Sequence, residues 1–287
     1  MVKESVGPDR ETVISFGTAL IAILAFAGNS LLTRAALAEP VISPALFVAV
    51  RMASGAVALM ILAALRGKNF VPSLSDVPGI ASLGTYAIAF TFAYVSLGAA
   101  TGALLLFATV QLTMGLIDIA SGNKPSIREV SGLIVAMSGL VWLLAPHLTL
   151  ASPFPSALMI LAGVAWGIYS VLGRRASDPV GRTTCNFVGT LPAAAGLALV
   201  SSAYTSDWGL LLAITSGVLT SAGGYLVWYA VLPKLSVATA GAAQLLVPVF
   251  AASGAALFIG EALSGQLVMA GCIIIVGIGL TIYPART

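Results

Sequence analysis

The sequence predicts an all-α membrane protein of ten spanning helices, folded as two inverted repeats of five. Three observations carry that reading. Apolar residues make up 59% of the chain and charged residues 8%, at a mean hydropathy of +1.05, whereas a soluble domain carries about 25% charged residues. An internal echo runs through the chain: Leu97–Ala103, LGAATGA, returns 138 positions later as Leu235–Gly241, LSVATAG. The basic residues also fall almost wholly in alternate inter-helix segments.

The echo keeps its spacing through Ala100/Ala238, Thr101/Thr239, Gly122/Gly260 and Gly139/Gly277. Nearer the N-terminus it continues at an offset of 140, where LAFA at Leu24–Ala27 answers VAWG at Val164–Gly167, Ser30 answers Ser170 and Arg34 answers Arg174. Two copies of one unit are therefore expected, at 13–145 and 156–283.

The first apolar run is Val13–Thr33. Ala36-Leu37-Ala38 after it looks like a signal-peptide cleavage site. The run is nevertheless longer than the roughly 7–15 residues of a signal core, and it matches the internal segment Leu161–Gly173, so it reads as a retained first helix. Further runs follow at 43–65, 78–96, 99–119, 127–145, 156–173, 184–201, 208–231, 237–259 and 264–283, each close to the roughly 20 residues that cross a bilayer. Pro44, Pro78 and Pro125 stand at helix starts, and Pro146, Pro233 and Pro284 at or past ends, where a missing N–H costs little. Pro192 and Pro248 fall well inside spans.

With the N-terminus in the cytoplasm, the inside segments hold eleven basic residues: Lys3, Arg10, Arg66, Lys68, Lys124, Arg128, Arg174, Arg175, Arg182, Lys234 and Arg286. The outside segments hold only Arg34, and Arg51 lies within the second run. A wrong helix count would have scrambled this bias. The net charge of +3 is thus topological and gives no reason to expect a nucleic-acid partner. Five helices per unit, an odd number, bring the second copy in from the opposite face. A pseudo-two-fold axis in the membrane plane then allows two nearly equivalent states open to either side, the geometry of alternating access.

Other chemistry is poorly served. Cys185 and Cys272 lie in separate spans with no metal spacing, no HExxH, GxSxG or P-loop pattern is present, and the only histidine, His147, sits in an external loop. No cofactor or metal is expected, and no enzyme activity. Asp118 ends the fourth span, Glu261 lies just past the ninth, and Arg51 is about two turns inside the second, so no charge is expected at mid-membrane depth and no proton carrier is evident.

The uncharged polar and aromatic residues at depth are the candidate binding wall. Tyr86, Phe90 and Tyr94 recur four residues apart on the third helix, either as a lining stripe or as ordinary packing, with Tyr94 also placed to join an interfacial belt. Trp166 and Tyr169 take the places of Phe26 and Asn29 in the repeat, where a buried indole N–H or phenol O–H wants a partner. Tyr225, Trp228 and Tyr229 follow Gly223-Gly224, which permit a bend or a close approach; a gate and a belt are both open readings for Trp228 and Tyr229. Pro248 cannot donate to the carbonyl of Gln244, so a helix break is expected there, beside an amide side chain. Gln111 and Asn29 supply similar amides from the first half. Trp142, Tyr204, Trp208 and Tyr283 sit at span ends and read as belt residues, and Gly98-x-x-x-Gly102 and Gly163-x-x-x-Gly167 as close helix crossings. Aromatic faces with amides suit neutral or zwitterionic solutes and, for want of buried cations, suit phosphorylated ones poorly.

AFAGNS at Ala25–Ser30 with VAWGIYS at Val164–Ser170, Pro44 followed by Arg51, and the alanine-rich starts of the fourth and ninth helices resemble the drug/metabolite transporter superfamily, in its ten-helix branch of two EamA-type repeats. Within it the chain is most similar to the YddG-type aromatic amino acid exporters of bacterial inner membranes. That resemblance implies amino acid export, cytoplasmic termini and a central cavity shared by both halves. The second repeat departs from the first in having Leu191 and Pro192 where Arg51 would recur. The expectation is an inner-membrane exporter of aromatic and other neutral amino acids working without proton coupling, with a functional monomer able to enclose its own pathway. A broad exporter of small lipophilic compounds is the alternative.

Overall fold

The structure is a computed structural model and describes residues 10–39, 41–68, 70–97, 99–144, 152–174, 176–202, 204–259 and 265–282. The described residues form ten helical rods: α1 (Arg10–Ala38), α2 (Pro44–Leu65), α3 (Val77–Ser96), α4 (Ala99–Ala120), α5 (Ile127–Leu144), α6 (Pro153–Arg174), α7 (Pro179–Val200), α8 (Asp207–Lys234), α9 and α10 (Gly265–Ile282). α9 is broken into Val237–Gln244 and Leu246–Ile259, with the interruption at Leu245, three residues before Pro248. α8 passes through a π segment, Ser216–Gly223, before resuming as an α-helix at Gly224–Val231.

Boundaries differ from expectation most at the end of α1, which runs on to Ala38 rather than stopping at Thr33, and at the start of α7. α7 begins at Pro179 rather than Thr184, because Asp178 caps it: the carboxylate accepts from the Gly181 amide at 3.2 Å, and Pro179 follows where a missing N–H costs nothing. Seven rods, α1, α2, α3, α6, α7, α8 and α9, contain stretches long and apolar enough to cross a membrane, while α4 and α10 carry the shorter apolar stretches Leu105–Ala120 and Val268–Thr281.

The burial pattern is that of a protein in lipid. Ile21, Val57, Ile61, Leu112, Ile134 and Val268 face outward, whereas Asn29, Arg51, Thr91, Gln111, Asn186 and Gln244 are buried. An outer surface this apolar needs hydrocarbon around it, and the polar side chains inside must satisfy one another. The chain is a multi-pass membrane protein.

α1 lies against α8 and α9, α6 lies against α3 and α4, α2 pairs with α7, and α5 with α10. Exchanging each helix for the one five places away maps these pairings onto themselves. Gly163 permits the α6–α4 crossing: a Cβ there would lie 2.6 Å from the Cβ of Thr109 and 2.7 Å from the Leu106 carbonyl. Gly217 does the same for α8 on α2, where a Cβ would strike Ser54 and the Arg51 carbonyl. Gly98 lies outside the described residues.

Loops from different parts of the chain are joined at both ends of the bundle. Before α2 and α8, Ser43 N–H donates to the Tyr204 carbonyl at 2.9 Å and Ser206 N–H to the Val41 carbonyl at 2.8 Å, with an antiparallel bridge between Ile42 and Thr205. At the other end, Lys68 meets Asp178 at 3.4 Å and Arg182 meets Asp76 at 3.5 Å, tying the α2–α3 loop to the α6–α7 loop and the start of α7. One seam is backbone hydrogen bonding and the other is ionic.

Candidate substrate site

The middle of the bundle is a continuous aromatic cluster built by α1, α3, α6 and α8. Trp166 on α6 is its hub, with ring centroids 4.9 Å from Tyr86, 4.7 Å from Tyr225, 5.3 Å from Phe26 and 5.7 Å from Tyr169. Tyr86, Phe90 and Tyr94 follow one another along one face of α3, with ring centroids 5.2 and 4.7 Å apart, as their four-residue spacing predicts. Phe26, Ser30, Tyr86, Phe90, Leu106, Phe107 and Trp166 enclose a void with room for about one water molecule.

Polar groups hold this cluster in place. Trp166 Nε1–H donates to Gln244 Oε1 at 2.8 Å, and the Gln244 amide nitrogen approaches Met114 Sδ at 3.7 Å and donates to the Ala240 carbonyl at 3.4 Å. The break in α9 sets Gln244 at a helix end, where it points to α6 and α4. Asn29 Oδ1 accepts from Ser216 at 2.7 Å and from Thr220 at 3.4 Å, while its amide nitrogen lies 3.5 Å from the Tyr86 hydroxyl. Ser216 and Thr220 belong to the π segment of α8, a form that recurs at functional sites because it re-aims side chains within a helix. Asn186 on α7 donates to the Tyr169 hydroxyl at 3.4 Å, and Tyr229 donates to the Tyr169 carbonyl at 3.1 Å.

Arg51 corrects the expectation that no charge lies deep in a span. Its side chain is 1% exposed, with Nε–H donating to Ser221 Oγ at 2.9 Å and Nη2 to the Tyr225 hydroxyl at 3.0 Å. Its guanidinium carbon lies 5.6 Å from the ring centroids of both Tyr86 and Phe90. Counting along α2 placed Arg51 near one end, but the long side chain reaches the middle of α3 and α8. A charge at the bilayer centre costs about 2.5–3.5 kcal/mol on insertion scales, and the two rings and two hydroxyls offset part of that.

Asn29, Tyr86, Phe90, Trp166, Tyr169, Tyr225 and Gln244 thus come together. Tyr94 extends the stripe and is fully buried. Trp228 and Tyr229 are buried too, which removes the belt reading for them; Trp228 packs edge-on against Phe26 at 5.7 Å, and its indole nitrogen has no partner among the described residues. Gln111 is not brought to the void. It packs at the α4–α9 crossing against Gly241, with Oε1 unpartnered. Trp142, Tyr204 and Trp208 are exposed at span ends, and Tyr283 lies outside the described residues.

Two larger cavities flank the cluster. A polar one of about 320 Å³ opens where α4, α6 and α8 end and α9 begins, lined by Met114, Ile117, Asp118, Ser121, Arg174 and Val237. Met114 on its wall contacts Gln244, and Gln244 contacts Trp166 on the wall of the central void, so that a series of three side chains runs from one space to the other. The other, about 580 Å³, is an apolar groove between α3, α6 and α7, lined by Ile80, Gly84, Ile88, Leu158, Thr190 and Leu197.

Residues 154–283 match the model of the EamA-like transporter family. Over 280 residues, 96% of each chain, the sequence is 42% identical to an uncharacterized protein of Pseudomonas aeruginosa, PA1977. It is 31% identical to the threonine/homoserine exporter RhtA of Salmonella typhimurium over 154 residues, half of either chain. A crystal structure of 20% sequence identity superposes with a TM-score of 0.80 over 96% of this chain and 99% of its own, a likeness of fold.

Proposed function

The chain belongs to the EamA-like transporter family, and on that premise we propose that it exports neutral amino acids, aromatic ones included, from the cytoplasm by alternating access. It is a transporter and not an enzyme. The observation that carries the reading is the Met114–Gln244–Trp166 series, which runs in contact from a polar vestibule to an aromatic centre. The positive-inside bias favours the cytoplasmic side for that vestibule, in a bacterial inner membrane. Similarity to an exporter named for threonine and homoserine favours amino acids as the cargo.

The pairing of helices that survives exchange of the two halves supports two inverted units of five, 13–145 and 156–283, enclosing one pathway in a monomer. No carboxylate among the described residues borders the central void, which supports movement down the substrate's own gradient. The apolar groove favours a second reading, a carrier of lipophilic compounds entering from the membrane.

Competition separates the two. In liposomes containing only this protein, threonine, methionine and phenylalanine should compete for one another's transport and a lipophilic cation should not. Competition by the cation alone would select the second reading.

A further inference from the structure

We propose that Arg51 is the counter-ion of the transported substrate's carboxylate, so that the central site selects for an acidic head group beside an apolar side chain. The inference rests on the amino acid reading above and adds to it the group that recognises the head.

The guanidinium is fully enclosed, yet the ion pairs between described residues, Lys68–Asp178 and Arg182–Asp76, are both at one end of the bundle. The acidic residues of the described chain stand in loops or within the first or last turns of helices: Glu11, Glu39, Asp76, Asp118, Glu129, Asp178 and Asp207. Among the described side chains, no carboxylate forms an ion pair with the guanidinium.

What holds Arg51 leaves part of its donor set unused. Ser221 and Tyr225 occupy Nε and Nη2, the side-on edge of the planar fork. Nη1 is buried with no hydrogen-bond partner. The end-on edge, made of one Nη1 hydrogen and the second Nη2 hydrogen, is the one that can donate two parallel bonds to a carboxylate. Satisfied rings and hydroxyls on the other sides keep the arginine aimed while the site is empty.

The position also fits. Tyr86 and Phe90, which carry the guanidinium at 5.6 Å, are themselves walls of the central void with Trp166 and Phe26. Arg51 is not itself among the residues enclosing that void, which holds about one water, so a carboxylate reaches Arg51 when those rings part, with the amino acid's side chain left among them. The second repeat, with Leu191 and Pro192 in the corresponding region, offers no second cation, so one carboxylate is bound and not two.

The test measures competition against labelled phenylalanine transport in protein-only liposomes, using phenylalanine, phenethylamine, which lacks the carboxylate, and 3-phenylpropionate, which lacks the ammonium. In the wild-type protein phenethylamine should compete about tenfold to a hundredfold more weakly than phenylalanine, the worth of a charge-assisted hydrogen-bonded pair, and 3-phenylpropionate should compete better than phenethylamine. In Arg51→Gln the preference for phenylalanine over phenethylamine should collapse, and in Arg51→Lys it should be partly kept. Equal competition by phenethylamine and phenylalanine in the wild type overturns the proposal without any variant. So does a monodisperse Arg51→Gln protein that keeps the full preference. If the wild-type protein carries no amino acid, the transport reading fails first and this proposal with it.

Discussion

Trp166 and Gln244 are joined by a 2.8 Å hydrogen bond between α6 and the broken end of α9, 78 residues apart in sequence. Gln244 is the last residue before the helix breaks, and its amide nitrogen also lies against Met114 of α4. In the proposed alternating access, opening a path from the vestibule to the centre would part this series, with the broken helix as the natural hinge.

Trp166→Ala and Gln244→Ala are therefore expected to lower transport while leaving membrane insertion unchanged. Trp166→Phe isolates the hydrogen bond: it keeps most of the ring but leaves a buried amide oxygen unpaired, a cost of about 1–3 kcal/mol in the closed arrangement. Initial rates in liposomes, normalised to inserted protein, check this. Normal rates in all three variants would remove the series from the pathway.

Asn29 ties α1 to the π segment of α8 through Ser216 and Thr220. Asn29→Ala should leave Ser216 short of its acceptor and lower stability by about 1–3 kcal/mol, read as a fall in melting temperature in detergent. Ser216→Ala in the Asn29→Ala background should cost little more, because the two residues share one interaction.

The ionic seam makes a pH and salt prediction. The Gly181 amide, followed by the Lys68 ammonium, holds the Asp178 carboxyl below its ordinary range, against the opposing effect of partial burial. A carboxyl depressed in the folded state contributes stability that is present above its ordinary value near pH 4 and is lost as pH falls through the depressed one. Its side chain is 38% exposed, so the contribution of the Lys68 pair is about 0–1 kcal/mol. Asp178→Asn should reproduce at pH 7 the small loss that acid causes in the wild type, and high salt should shrink the difference. The opposite seam, of backbone hydrogen bonds, should be indifferent to both.

Gly163→Leu should disrupt the α4–α6 crossing, since even a Cβ would collide with Thr109 and the Leu106 carbonyl. Overpacking of this kind costs about 1–3 kcal/mol or displaces the helix. Reduced recovery of monodisperse protein is the expected result. Gly196→Leu, on an open face of α7, is the control that should be tolerated.

Local rules made the rods legible. Apolar run lengths, prolines at starts and the inward proline of α9 each act within a few residues, and the helices and the break at Leu245 follow from them. The aromatic residues were also visible as mid-span letters, but their meeting was not. Asn29 finds Ser216 across 187 positions, and Arg51 finds Ser221 across 170. The clue available was a spacing: Ser216 with Thr220, and Ser221 with Tyr225, lie four apart in an apolar helix, which puts each pair on one face. Tyr94, Trp228 and Tyr229 were ambiguous because depth along a helix does not say which way a side chain points; burial by neighbouring helices decides it.

The most direct measurement is uptake of labelled phenylalanine into liposomes holding only this protein, with and without an imposed pH gradient. The account predicts saturable uptake that threonine and methionine inhibit and that the pH gradient does not change. Uptake that requires the gradient, or none at all, would contradict it.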